Sequence, residues 1–109
     1  MEIKSKIWIE NDEGILSSAG RVQLLKLIED TGSLNKAAKA MNLSYQKAWK
    51  LVDASNKAAK SPLIETHVGG IKGGGTILTP YGKSLIEIFE AINADCWIFL
   101  DEQLKKHGI

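Results

Sequence analysis

The side chains best equipped for chemistry sit in one short run, Ser44-Tyr45-Gln46-Lys47-Ala48-Trp49-Lys50. That chemistry is recognition rather than bond-making. A glutamine such as Gln46 can pair bidentately with adenine, and a lysine can reach guanine or neutralise a phosphate. Ser44, placed as a helix N-cap, leaves N–H groups that favour a phosphate oxygen, and the Tyr45 hydroxyl lies close enough to the same end to help. On a helix that starts here, Tyr45, Ala48, Trp49, Leu51 and Val52 form the apolar face, with Gln46, Lys47 and Lys50 on another. Trp49 is expected to be a core aromatic that locks this helix to the one before it.

Other candidate chemistry is weaker. Gly-Gly-Ile-Lys-Gly-Gly-Gly-Thr at 69–76 invites comparison with a phosphate-cradling loop, but the G-x-x-x-x-G-K-[ST] order is missing and a strand is expected to follow. Glycines around Lys72 and Gly73 suit instead a hairpin tip that approaches a nucleic-acid backbone, or a surface hairpin with no partner. His67 and His107 have no Cys or carboxylate neighbours at metal-ligand spacing. Asp53 and Glu65 complete no nucleophile–base–orienter set, and Cys96 lies on an apolar helix face. No enzyme, metal or cofactor is expected.

The elements that must position the run follow from periodicity. Leu34, Ala37, Ala38 and Met41 are spaced i, i+3, i+4, i+7, one buried helical stripe begun at Ser33. Ala37 and Ala38 are small enough for a second helix to cross closely, as in a helix-turn-helix, with Asn42 taking a left-handed turn position. A preceding helix, capped by Ser17 or Ser18 and ended by Gly32, buries Val22, Leu24, Leu25, Leu27 and Ile28 and turns Arg21 to water. Three helices over 18–60 make a tri-helical core. Residues 3–9 alternate as a strand, Ile15-Leu16 returns after a turn at 11–14, and the pair lies against the helices, with Trp8 packed on one of them. Two short strands within 61–79 make a hairpin, which directly after a helix-turn-helix is a wing.

Thr79-Pro80 opens a helix running to about residue 107. Leu85, Ile88, Phe89, Ile92, Cys96 and Phe99 form a stripe along it, more apolar surface than one small domain covers. A second subunit would cover it; alternatively its last turns fold back on the strands through Trp97 and Ile98. The expected class is mainly α with a small β component: a single winged helix-turn-helix domain, 1–109, with a long C-terminal dimerisation helix, 80–107.

Bulk composition agrees. The chain is 44% hydrophobic and 25% charged, ordinary for a folded domain. No apolar run approaches the roughly 20 residues of a membrane span, and the charged start lacks a signal-peptide core. One cysteine gives no internal disulfide, so the cytoplasm is the expected compartment. The net charge of +1 hides a division: residues 31–60 carry six lysines against Asp53, while 1–30 and 81–109 each come to −2. That local positive surface is either a footprint for phosphate or a solvated helix face.

The run TGSLNKAAKAMNLSYQKAWKLVDASN at 31–56, the PLIET…GG-x-K-GGG-x-x-LTPYG pattern at 62–82 and LLKLIEDTGS just before resemble the N-terminal winged-helix domain of the ModE family, molybdate-dependent transcriptional regulators. The resemblance covers roughly residues 8–90. It implies a homodimer on double-stranded DNA, with the helix from Ser44 in the major groove and the 69–75 hairpin on flanking DNA. Ser33, Ser44, Tyr45, Gln46, Lys47 and Lys50, with Lys72 and Gly73 in the wing, are the candidate DNA contacts. It further implies a link to molybdate or metal-oxyanion transport genes. The 109 residues leave no room for the Mop-like molybdate-binding domains that fuller members append, so the expectation is a stand-alone DNA reader that names no small-molecule effector. The rival reading is a winged-helix module that docks another protein and leaves its basic face idle.

Overall fold

In the computed structural model, which describes residues 1–67 and 75–109, every helix begins at a hydroxyl side chain. Helix α1 (Ala19–Thr31) follows Ser18, α2 (Leu34–Ala40) follows Ser33, α3 (Tyr45–Ala58) follows Ser44, and α4 (Pro80–His107) follows Thr79. In each case the hydroxyl accepts from the backbone N–H three residues on, a cap worth about 1 kcal/mol. Gly32 ends α1 at φ 68°, and Asn42 turns α2 into α3 at φ 57°, the left-handed conformations their residue types tolerate best. The expected glycine-rich wing tip, with Lys72 and Gly73, lies outside the described residues.

Strand β1 (Trp8–Asn11) pairs antiparallel with β2 (Gly14–Ser18), and a bulge between Ile9 and Glu10 shifts the register. The strand expected from residue 3 therefore begins only at Trp8. Its partner runs directly into the α1 cap at Ser18, which leaves residues 3–7 nothing to pair with. They pass α4 instead, and Ser5 Oγ lies 3.7 Å from Cys96 Sγ. Ile7 and Ile9 pack on the core, whereas Trp8, expected to pack on a helix, is 49% exposed. Asn11 Nδ2 donates to the Ala58 carbonyl at 2.9 Å, which ties the hairpin to the end of α3.

The core joins α1 through Val22, Leu24, Leu25 and Ile28, α2 through Leu34, Ala37 and Ala38, and α3 through Ala48 and Val52. Ala37, Ala38 and Ala48 are all at most 1% exposed, so α2 and α3 meet with almost no side chain between them. Strand β3 (Ile64–His67) pairs antiparallel with β4 (Gly75–Leu78), Ile64 opposite Leu78 and His67 opposite Gly75. The base of this wing is anchored on the α1 terminator: Thr76 N–H donates to the Gly32 carbonyl at 2.9 Å. Helix α4 is about 42 Å long at 1.5 Å per residue and makes the molecule 60 Å in its longest dimension. The result is a mainly α winged helix-turn-helix with a long C-terminal helix.

The fully buried residues of α4, Gly82, Leu85, Ile86 and Phe89, all lie in its first third. Leu85 and Phe89, expected in a dimer face, are 3% and 2% exposed and belong to this chain's own core. They sit within ten residues of the α4 start, where the helix crosses the rest of the fold. Farther along, Ile88, Ile92 and Phe99 are 48%, 46% and 57% exposed, and Cys96 is half-buried. Of the two residues expected in the alternative to fold back on the strands, Ile98 is 56% exposed and Trp97 is half-buried.

Candidate nucleic-acid interface

The face that α3 buries decides what it offers to a partner. Its buried residues are Ala48, Val52, Ser55 and Ala58, spaced i, i+4, i+7, i+10. Trp49 is 48% exposed and Tyr45 52% exposed, which overturns the expectation of a core tryptophan. The reason is steric: α2 and β2 approach α3 so closely that only small side chains fit between, and an indole has no room. At about 100° per residue, Gln46 points directly away from the buried stripe, with Trp49 and Lys50 on either side of it. The sequence carried a signal for this in the regular spacing of the four small residues, but the larger aromatics outweighed it.

One further residue departs from expectation. Arg21, expected to face water, is partly buried, and its Nη1 donates to the Ile15 carbonyl at 2.6 Å and to Ser55 Oγ at 2.9 Å. Burial pulls the guanidinium pKa down, yet arginine keeps its charge in proteins. The clamp joins α1, β2 and α3 at one point and so fixes the rotation of α3 about its axis.

Most of the lysines on α2 and α3 carry no ion pair among the described residues. Of the six lysines between 31 and 60, Lys57 pairs with Asp53 at 3.1 Å, and Lys60 lies 5.8 Å from the centre of the Tyr81 ring. Among the described residues, Lys36, Lys39, Lys47 and Lys50 pair with no carboxylate, and all four are exposed on α2 and α3. Ser44 Oγ accepts from Lys47 N–H at 3.1 Å and Ser33 Oγ from Lys36 N–H at 3.1 Å, so both hydroxyls act first as caps. The structure thus brings Ser44, Tyr45, Gln46, Lys47 and Lys50 onto one exposed surface, with Ser33 at the start of the neighbouring helix.

Among the described residues, no three His, Cys, Asp or Glu side chains gather closely enough to hold a metal ion. His67 Nε2 lies 3.9 Å from Glu65 Oε2 on the exposed strand β3. No helix among the described residues is long and apolar enough to cross a membrane.

Known proteins share this stretch of sequence. The chain is 38% identical over 97 residues to the molybdenum transport protein ModE of Azotobacter vinelandii, covering 89% of this chain and 36% of that protein. It is 39% identical over 84 residues to the transcriptional regulator ModE of Haemophilus influenzae, covering 77% and 33%. The chain belongs to the ModE family. A third member, the DNA-binding transcriptional dual regulator ModE of Escherichia coli K12, is 30% identical over 92 residues, covering 84% and 35%. The chain spans about a third of the length of these ModE proteins. No protein-family model matches it.

Proposed function

We propose that this ModE-family chain is a sequence-specific DNA-binding transcriptional regulator that acts as a homodimer and performs no catalysis. The observation that carries the reading is the set of four lysines on α2 and α3, unpaired among the described residues, beside an outward-facing Gln46. Helix α3 enters the major groove, where Gln46 reads a base edge and Lys47 and Lys50 reach backbone or guanine. Ser33 and Ser44 bring the starts of α2 and α3 to phosphate, and Tyr45 adds a hydroxyl there. Lys72 and Gly73 of the wing touch flanking DNA. The name of the Azotobacter relative, a molybdenum transport protein, supports a link to molybdenum transport genes, and the names of the other two support transcriptional regulation. A two-fold dimer would place its recognition helices about 34–36 Å apart on a pseudo-palindromic site.

The test is retention of the chain on random duplex DNA at low salt. Binding that falls steeply as salt rises supports the reading, because each phosphate contact adds about 0.9 to the log–log slope. Retention on neither DNA nor heparin would instead favour a protein-docking module.

Dimerisation falls to the exposed Ile88, Ile92 and Phe99 of α4, with the half-buried Cys96 beside them, since Leu85 and Phe89 are already used inside the protomer. Ile92→Glu places a charge in the middle of that stripe and should convert the dimer to monomer in sedimentation. Because Ile92 is 46% exposed, the protomer itself should remain folded. An intact dimer would remove this stripe from the interface.

A further inference from the structure

Two aromatic rings stand side by side on the face of α3 that the fold does not use. Tyr45 and Trp49 are four residues apart, which makes them neighbours on one edge of the helix, and both are about half exposed. With Gln46 and Lys50 they line a shallow cleft of about 390 Å³. Single exposed apolar side chains are ordinary, but an adjacent pair flanked by uncompensated lysines needs a partner that is both anionic and locally apolar. The lysines disfavour a purely apolar protein groove, and no carboxylate on α3 other than Asp53, already paired with Lys57, offsets them. Duplex DNA meets both demands. Its phosphates supply the charge, and the C5-methyl of thymine is the apolar group that its major groove presents.

We propose that Trp49, supported by Tyr45, is a specificity-determining residue that packs against thymine methyl groups next to the base read by Gln46. This rests on the major-groove reading of α3 above. The placement is coherent with base pairing. On the helix wheel Trp49 lies about 60° from Gln46, so the two side chains reach neighbouring steps. A Gln46 amide on adenine and a Trp49 ring on a nearby thymine methyl would together select A·T-rich positions.

The experiment separates the methyl from every other feature of the base. Duplexes are selected from a random pool by the full chain at low salt. The enriched duplex is then compared with the same duplex carrying deoxyuridine in place of thymine, which keeps the Watson–Crick pairing and removes only the methyl. Wild-type affinity should fall about fourfold for each methyl contacted. With Trp49→Ala the two duplexes should bind equally, while the salt dependence of binding to random duplex stays as in wild type and reports an intact fold. Equal wild-type affinity for both duplexes overturns the proposal, as does an equal loss in both proteins. Enriched sites without thymine overturn it as well. If no duplex is retained at all, the groove reading fails first and takes the proposal with it. If Trp49→Ala leaves selection unchanged, the proposal is overturned.

Discussion

Gly82→Ala is expected to destabilise the fold by about 1–2 kcal/mol, although alanine is the better helix former. Gly82 lies in the first turn of α4, is buried, and donates its N–H to Thr79 Oγ1 at 3.0 Å. A Cβ on it would run into the carbonyl oxygen of Leu63 and crowd the carbonyl carbon. Those are backbone atoms, so no rotamer change relieves the clash. Leu63 is also held in place, because its carbonyl accepts from Thr79 N–H at 3.0 Å and its own N–H donates to Asn56 Oδ1 at 2.9 Å. Overpacking of a fixed neighbour costs about 1–3 kcal/mol and sometimes more, which outweighs the roughly 1 kcal/mol that alanine gains over glycine in a helix. For a domain of this size each kcal/mol moves the midpoint by about 4–8 °C. Gly20→Ala is the control: it is also helical, and nothing lies within 4 Å of its would-be Cβ. It should raise the melting temperature while Gly82→Ala lowers it. A melting temperature for Gly82→Ala at or above wild type would refute the close approach of α4 to Leu63.

Lys47→Ala combined with Lys50→Ala should nearly abolish DNA binding at physiological salt without changing stability. Both side chains are exposed and, among the described residues, unpaired, so the folded state does not depend on them. Each phosphate interaction contributes about 0.9 to the salt slope, which at 0.15 M salt corresponds to roughly fivefold in affinity relative to 1 M. Removing two such interactions from each of two protomers would lower the slope by about 3.6 and the affinity by several hundredfold or more. Lys57→Ala offers a matched comparison. Its charge is already offset by Asp53 at 3.1 Å, so its removal should change the slope far less. Isothermal affinities at several salt concentrations check both outcomes. Equal slopes for the double variant and wild type would take α3 out of the interface.

Much of the fold can be read from residue types, because the features concerned are local. Ser33, Ser44 and Thr79 are legible as caps, Gly32 as a terminator, Asn42 as the turn residue and Pro80 as the first residue of the long helix. In each case the hydrogen bond or dihedral involves neighbours within four residues, so sequence spacing alone specifies it. The apolar periods of α1 and α2 are equally local, since each stripe needs only one direction in which to face.

Helix α3 is different. It has two apolar edges, one of small residues and one of aromatics, and either could have been buried. What decides between them is the separation to α2 and β2, which is set by Ala37, Ala38 and Ala48 meeting with nothing between, and by Arg21 reaching across to Ile15 and Ser55. A separation between elements is not written in the spacing along either one. The same holds for α4, whose stripe reads as continuous from Leu85 to Phe99, yet is divided by where the helix leaves the body of the fold. Residue order is enough to specify that the run from Ser44 to Lys50 opens a capped, lysine-bearing helix. It is packing in three dimensions that puts Trp49 on the outer surface of that helix and takes Leu85 and Phe89 into the core, because burial depends on which elements come within reach of one another.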